Sequence, residues 1–227
     1  MHRVLVVVEG QTEKLILESV FAPYLILKNI DLRARIVGVT GHKGGDTDFN
    51  RVSNDIIRLL NQEPGSTIST FFDYYGLHPN WPGFTKSNSY QLASSIVQNI
   101  ETKTLEAIKN KSKLDLSPNR FIPYIQLHEL EALFFADPIQ LARAFESPSK
   151  ATAIQQLVDE SGGCEVINNG FDTHPAKRLE GFFPRYRKGA GIRSDASFIA
   201  EAVGVDQMRA CCPRFDSWIT RLELLGL

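Results

Sequence analysis

The chain has 227 residues, of which 43% are hydrophobic and 22% are charged, so it can form a packed core and is not a wholly disordered protein. Its 25 Lys and Arg residues against 26 Asp and Glu residues give a net charge of −1, which excludes the global basic excess of a simple nucleic-acid coat. Three cysteines without a CxxC spacing exclude a disulfide framework and a cysteine-rich zinc site. No apolar stretch approaches the roughly 18 residues of a membrane span, so we expect a cytoplasmic protein without membrane contact.

The first half of the chain alternates between strand and helix patterns. Short apolar runs predict strands at 3–8, 33–39, 66–72 and 121–127. Apolar residues at helical spacing predict helices at 12–26, around 52–60 and at 89–111, and Asp46 or Thr47 is expected to cap the second of them. This order is typical of right-handed βαβ units, so we expect an α/β fold with a largely parallel four-stranded sheet flanked by helices. Pro123 inside the fourth run predicts an edge position or a bulge.

From Asp137 onward the pattern is helical. Asp137 before Pro138 is a typical helix start, with an N-cap residue before proline at the first helical position. Helices are predicted at 138–145, 151–160, 174–183, 195–203 and 213–225. The change of pattern predicts an α/β domain at 1–137 and a helical extension at 138–227 packed on the same domain.

Acidic residues follow all four predicted strands, at the edge where the working sites of open α/β sheets lie. They include Glu9, Glu13, Asp46, Asp48, Asp73, Glu129 and Glu131. Glu13 lies one helical turn after Glu9, and two carboxylates that face each other repel unless a cation or a proton joins them. Carboxylate oxygens are the ligands that Mg²⁺ prefers. The predicted metal ligands, for Mg²⁺ or Mn²⁺, are Glu9, Glu13, Asp73, Glu129 and Glu131.

These positions also have structural interpretations. Glu9 alone would satisfy free backbone N–H groups at a helix start, and Asp73 alone would begin a turn. The HELEALFF segment is not a zinc-protease motif, because alanine occupies the position of the second histidine. His128, Glu129 and Glu131 are then either the solvated face of a core stripe or members of the site, with His128 orienting a water or a phosphate.

Other residues are candidates for contacts with phosphate. Gly10 lets the backbone come close to a ligand, and Tyr75 can donate a hydrogen bond. A basic run interleaved with aromatic residues is either a phosphate-binding face or a solvated helix face, and it contains Lys177, Arg178, Arg185, Arg187, Lys188 and Arg193. The glycine-rich loop around Lys43 lacks the Walker A pattern. The candidate phosphate ligands are Gly10, Thr12, Lys43, Tyr75, His128 and Arg178.

The motifs VEGQTE, FFDYYG and RFIPYIQLHELEALFF, spread over residues 3–136, resemble an uncharacterised bacterial Toprim-like family related to the nucleases of the overcoming-lysogenization-defect (OLD) group. The resemblance implies a Toprim-like sheet, with Glu9 as general acid/base or metal ligand and Glu13 as a further metal ligand. The DxD metal motif of that family reads DYY from Asp73 onward, so its second acid is missing here. Glu129 or Glu131 could replace it, and without a replacement the domain would bind one metal or be a binding module that has lost catalysis.

Together these features predict a metal-dependent nuclease or phosphoesterase that acts on DNA or RNA. Glu9 or Glu13 would move the proton of the nucleophile or of the leaving oxygen, and Lys177 or Lys188 would neutralise developing charge as catalytic residues. The resemblance also implies a role in phage defence and an ATPase partner. The main alternative is a non-catalytic binding or regulatory subunit, and a further one is a hydrolase of small phosphate esters.

Overall fold

The computed structural model of the chain describes residues 1–38, 47–85, 90–167, 173–186 and 195–227. Its internal contacts divide the chain into two units, one formed by Met1–Leu127 with Arg221–Leu227 and the other by His128–Thr220. The domain boundary predicted at residue 137 lies inside the second unit, and the predicted domain organisation stays a prediction.

The first unit is built on a five-stranded sheet in which every pairing among the described residues is parallel. Its strands are β1 (His2–Val8), β2 (Ile30–Ile36), β3 (Thr67–Asp73), β4 (Phe121–Ile122) and β5 (Ile125–Gln126). The strand order is β2-β1-β3-β4, and β5 also pairs with β3. The predicted α/β fold with a largely parallel sheet is confirmed, although the sheet has five strands and not four.

The central position of β1 follows from its composition. All five residues from Val4 to Val8 are at most 1% exposed, as expected for a strand that has neighbours on both sides and helices on both faces. Strand β2 instead alternates between buried and exposed residues, with Arg33 and Arg35 exposed. This alternation is typical of a strand at the edge of the sheet.

The predicted fourth strand is divided into β4 and β5 at Pro123, which cannot donate a ladder hydrogen bond. The Thr70 side chain replaces part of the ladder at this point. Its hydroxyl accepts a hydrogen bond from the Tyr124 N–H at 2.8 Å and donates one to the Tyr124 carbonyl at 2.9 Å. Within the described residues, both short strands pair with β3 alone at the edge of the sheet, so the predicted edge position of Pro123 is confirmed.

The predicted helix at 12–26 forms as three consecutive helical segments: α1 (Gln11–Ile16), a π-helical segment (Leu17–Phe21) and α2 (Ala22–Ile26). Pro23 does not end it. In a regular α-helix the proline ring would clash with the carbonyl four residues earlier, and here that carbonyl belongs to the wider π-helical turn.

Helix α3 (Phe49–Gln62) begins at Asp48, whose side chain accepts hydrogen bonds from the backbone N–H groups of Asn50 at 2.9 Å and Arg51 at 3.2 Å. The prediction that Thr47 caps this helix is therefore wrong, and Asp46 lies outside the described residues. Asp48 is the better cap because its carboxylate reaches two of the free N–H groups of the first turn. Helix α4 (Tyr90–Ser112) precedes β4.

The second unit is helical, as the pattern after residue 137 predicts. It begins with a buried 3₁₀ segment (Leu130–Ala136), and its helices are α5 (Pro138–Ala144), α6 (Ala151–Ser161), α7 (Pro175–Phe182), α8 (Asp195–Val203), α9 (Val205–Cys211) and α10 (Pro213–Glu223), the last extending into the first unit. The pattern missed α9, a short helix separated from α8 by Gly204 alone. Within the described residues, no helix combines the length and hydropathy that crossing a membrane requires.

The last residues of the chain pack in the first unit. Gly226 lies directly against the backbone of Lys28, because a Cβ placed on this glycine would be 2.0 Å from the Lys28 carbonyl oxygen. The Arg221 side chain donates a hydrogen bond to the Pro118 carbonyl at 3.3 Å. The α/β unit is therefore completed by residues from the opposite end of the sequence.

The predicted helix start at Asp137 is confirmed, because its side chain accepts hydrogen bonds from the N–H groups of Ile139 at 3.0 Å and Gln140 at 2.9 Å. We expect Asp137→Ala to lower the free energy of unfolding by about 1 kcal/mol, since both groups lose their acceptor. Urea unfolding measures this change. Asp137→Ser is the control, because serine also caps helices. An equal loss in the two variants would contradict a capping role.

Candidate functional site

The candidate site lies where the chain reverses its direction of travel across the sheet. From β1 the chain crosses to β2 on one side, and it then returns to form β3 on the other side of β1. The carboxyl ends of β1 and β3 therefore flank the crevice at which open α/β sheets bind their ligands. Glu9 directly follows β1, and Asp73 is the last residue of β3.

Glu9 and Asp73 approach the same point, which is marked by Gly76. A Cβ placed on Gly76 would lie 3.2 Å from Glu9 Oε2 and 3.8 Å from Asp73 Cβ. Both acidic residues are half-buried, and Asp73 Oδ1 is shielded from solvent. We refer to Glu9 and Asp73 as the carboxylate pair. That these two residues share a functional site stays a prediction, and no feature of the sequence beyond its motif points to Gly76.

Gly76 is held by hydrogen bonds from residues outside its own turn. It ends a 3₁₀ turn (Tyr74–Gly76), and its carbonyl accepts a hydrogen bond from the Thr47 hydroxyl at 2.7 Å. The Thr47 carbonyl in turn accepts a hydrogen bond from the buried indole N–H of Trp81 at 2.5 Å. These contacts fix the backbone against which the Glu9 carboxylate lies. Only the glycine in FFDYYG, three residues after the acid, hints at this role in the sequence.

Glu13 folds back toward the start of α1. Its Oε2 atom lies 2.8 Å from the position that a Cβ on Gly10 would occupy. Gly10 is the N-cap residue of α1 and has an extended backbone. The missing side chain of Gly10 therefore makes room for a carboxylate of the chain itself, in addition to any ligand. Thr12 is half-buried in the first turn of α1.

The carboxylate pair is not part of a larger cluster in the described parts of the chain, where no group of three or more His, Cys, Asp or Glu side chains is arranged to hold a metal ion. Tyr75 stands two residues after Asp73, where the motif resemblance implies a second acid. Its ring centroid lies 4.6 Å from that of Tyr74, and it packs against the core. Two carboxylates nevertheless fit Mg²⁺, which is commonly held by one or two protein carboxylates together with substrate phosphates and water.

Glu129, a predicted metal ligand, contacts the start of α7 within the second unit. Its Oε2 atom accepts hydrogen bonds from His174 Nδ1 at 2.8 Å and from the Ala176 N–H at 3.0 Å. A carboxylate at a helix N-terminus satisfies free N–H groups and interacts favourably with the helix dipole. This arrangement gives Glu129 a structural task, although its role in metal binding stays a prediction.

Glu131 is buried, with an exposure of 1%, and Tyr186 donates a hydrogen bond to its Oε1 atom at 2.9 Å. Burial, followed by the charge of Glu131, raises the pKa of Tyr186 well above its usual value. The tyrosine therefore stays protonated and keeps its donor. His128 is buried as well, and burial lowers its pKa to about 4. The interpretation of His128 and Glu131 as a solvated face is wrong, because the 3₁₀ segment is buried on all sides.

We expect Tyr186→Phe to lower the free energy of unfolding by about 1–3 kcal/mol, because the buried Glu131 carboxylate loses a hydrogen-bond donor. Thermal or urea unfolding measures the loss. The double variant with Glu131→Gln provides the control, since it removes the buried charge and should recover part of the stability. A neutral effect of Tyr186→Phe would show that another group satisfies Glu131 equally well.

The predicted basic residues have mixed outcomes. Lys177 forms an exposed ion pair with Glu180 at 2.6 Å, and Arg178 Nε donates to the Thr173 carbonyl at 3.3 Å. Lys43 and Lys188 lie outside the described residues, as do Arg187 and Arg193. The catalytic and phosphate-binding roles of these residues therefore stay predictions.

The aromatic residues interleaved with this basic run belong to the core of the second unit. The Phe183 ring stacks on that of Phe145, with centroids 4.0 Å apart, and Tyr186 is fully buried. Phe183 and Tyr186 are therefore packing residues and do not form a surface on which nucleic-acid bases stack.

Comparison with curated proteins gives no significant sequence match. Among solved structures, the chain is similar to the C-terminal region of the Xanthomonas campestris pv. campestris OLD protein, with 14% sequence identity and a TM-score of 0.43 over 100% of this chain and 96% of that one. The Toprim resemblance of the motifs stays a prediction. A family model described as a domain of unknown function, DUF4276, matches residues 8–223, and the chain therefore belongs to the DUF4276 family.

Proposed function

We propose that the chain is a Mg²⁺-dependent phosphodiesterase that cleaves nucleic acid. The observation that carries the proposal is the approach of Glu9 and Asp73 to one point beside Gly76, at the carboxyl ends of two adjacent parallel strands. Two acids at a crevice of this kind are placed for chemistry on a bound phosphate, and their mutual repulsion favours a cation between them. The motif resemblance to Toprim nucleases supports the same activity.

Glu9 and Asp73 would hold Mg²⁺ or Mn²⁺, and Glu13 is the third candidate ligand. When bound, such an ion polarises a phosphoryl oxygen and lowers the pKa of its water. The residues of the chain have separate tasks. Glu9 is the group that would accept the proton of the attacking water, because one oxygen of the Asp73 carboxylate is shielded from solvent. Gly76 leaves the space that Glu9 occupies.

The net charge of −1 gives the chain little general attraction for nucleic acid. Delivery of the substrate by a partner protein would compensate for this. The ATPase partner and the setting in phage defence rest on the motif resemblance alone. They are part of the proposal and require the partner to be found by co-purification.

A second candidate function is a non-catalytic subunit that uses the carboxylate pair to bind a cation, a nucleotide or a partner. It is favoured because no third acidic side chain joins the carboxylate pair among the described residues. It is also favoured by Tyr75, which stands where the motif resemblance implies the second DxD acid. A subunit of this kind would bind a divalent cation without cleaving any phosphodiester.

The test is an incubation of the purified full chain with plasmid DNA and with total tRNA, in Mg²⁺, in Mn²⁺ and in EDTA. Metal-dependent cleavage of either substrate supports the enzyme and identifies its substrate class. Isothermal titration with Mn²⁺ is run beside it. Mn²⁺ binding that disappears in Asp73→Asn, without cleavage in any buffer, would support the non-catalytic subunit and contradict the enzyme.

A further inference from the structure

A polar cavity of about 390 Å³ lies in the first unit at the carboxyl end of β1. It is bounded by the carboxyl ends of β1 and β2, by α1 and by α3. Val7 and Gln11, which stand two residues before and two residues after Glu9, both line it. The cavity is therefore adjacent to Glu9 and lies on the β2 side of β1, whereas Asp73 lies on the β3 side.

Three cationic side chains from three different elements line this cavity. They are Lys14 of α1, Arg35 of β2 and Arg58 of α3. Among the described residues, the lining also contains one carboxylate, Asp55, so three positive charges against one negative charge leave an excess of two there. In a chain whose net charge is −1, this is a local concentration of positive charge.

The single carboxylate is already engaged. Asp55 Oδ2 accepts a hydrogen bond from the Gly38 N–H at 2.8 Å, and its Oδ1 atom pairs with Arg58 at 2.8 Å. Its side chain is only 14% exposed. Asp55 therefore serves to hold the cavity wall and to orient Arg58, and it does not offer a free carboxylate to a cation.

The other two cations are less constrained. Arg35 is exposed, and its Nη1 atom donates a hydrogen bond to the Ala34 carbonyl at 3.1 Å. Lys14 makes one charge contact within the described parts of the chain, at 4.0 Å with Glu18, which lies outside the cavity lining. A guanidinium has five N–H donors in a fixed fork that matches a phosphate, and an ammonium has three. Arg35 and Lys14 thus retain donors for an anionic ligand.

We propose that this cavity binds a backbone phosphate of a nucleic-acid strand and thereby positions the neighbouring phosphodiester at Glu9. The inference rests on the proposed function and adds the direction from which the strand enters, across the ends of β2 and β1 toward β3. Contacts of Lys and Arg with phosphate fix register and orientation and carry no sequence information. The site is therefore expected to bind strands of different sequence about equally.

The test is fluorescence anisotropy with 20-nucleotide single-stranded DNA and RNA, performed in EDTA on the full chain with Glu9→Gln, so that cleavage during the measurement is negligible. The test variant is Lys14→Gln with Arg35→Gln. The matched control is Arg33→Gln, which removes a positive charge from the same strand two residues earlier. Arg33 is exposed, pairs with Asp31 at 2.8 Å and does not line the cavity.

We expect the double variant to weaken strand binding tenfold or more. The slope of log K against log salt should become shallower by about 1.4, since each lost phosphate contact contributes about 0.7 for single strands. Arg33→Gln should change affinity less than twofold. Equal effects of the double variant and the control would overturn the inference, and so would an absence of binding to both DNA and RNA.

A parallel titration with a nucleoside triphosphate tests whether the cavity binds the phosphates of a free nucleotide and not those of a strand. Binding of the triphosphate that depends on Lys14 and Arg35, without binding of the strand, would overturn the strand assignment.

The inference and the proposed function can fail separately. Strand binding that depends on Lys14 and Arg35, in a protein that cleaves nothing, would retain the cavity and overturn the enzyme. Cleavage that requires Glu9, together with a double variant that behaves like Arg33→Gln, would retain the enzyme and overturn the cavity.

Discussion

Replacing Glu9 by glutamine is expected to lower metal-dependent cleavage by roughly 10²–10⁴-fold, the range that a general base contributes. Glutamine has nearly the same shape as glutamate, so the fold around Gly76 should be preserved. Strand binding should be largely retained, because the proposed phosphate contacts come from Lys14 and Arg35. Single-turnover cleavage assays with Mg²⁺ measure the loss.

The carboxylate pair also predicts an effect on stability that is independent of activity. In EDTA, Glu9→Gln and Asp73→Asn should each be at least as stable as the parent, because each variant removes one of two neighbouring like charges. For the cleavage assay of Glu9→Gln, the control variant is Glu106→Gln, which changes an exposed glutamate of α4. Full activity of Glu9→Gln, or an equal loss in Glu106→Gln, would show that the carboxylate pair is not the reacting site.

Lowering the pH from 7 to 4.5 is expected to destabilise the second unit through His128. Burial lowers the pKa of this histidine to about 4, whereas the unfolded chain has a histidine pKa of about 6.5. Between these values the unfolded state takes up a proton that the folded state does not, so stability falls as the pH falls. A difference of about 2.5 pKa units corresponds to about 3 kcal/mol at the acidic end of the window.

Glu165 contributes with the opposite sign. Burial raises the pKa of its carboxyl group, which accepts hydrogen bonds from the N–H groups of Arg214 and Phe215. Its stabilising contribution is therefore largest at low pH and is lost as the pH rises.

Urea unfolding of the parent, of His128→Gln and of Glu165→Gln from pH 4.5 to 7.5 separates the two effects. His128→Gln should flatten the acidic loss of stability, and an unchanged slope would contradict the role of His128. If His128→Gln folds poorly, an NMR titration of the His128 ring in the parent measures its pKa directly.

The sequence contains enough information for the sheet and for half of the site. The apolar run of β1 and the acids that follow β1 and β3 are local features, and the preference for right-handed crossovers brings strands of this kind into one sheet. The tasks of Glu129 and Glu131 are not local. Their partners, His174 and Tyr186, are 45 and 55 residues away in sequence, so no spacing rule relates them.

The cavity was missed for a related reason. Lys14, Arg35 and Arg58 are separated by about twenty residues each and form no cluster in the sequence. Each is an ordinary surface cation in its own segment. Only the pairing of β1 with β2, and the packing of helices at their ends, brings the three side chains around one volume.

The return of the last residues to the first unit has a consequence for folding during translation. Because Arg221–Leu227 belong to the α/β unit, this unit cannot make all of its contacts until residues 128–220 have been synthesised and Arg221–Leu227 have left the ribosome. Gly226 can then dock against the Lys28 carbonyl. The residues that carry the carboxylate pair are therefore made well before the unit that holds them can be completed.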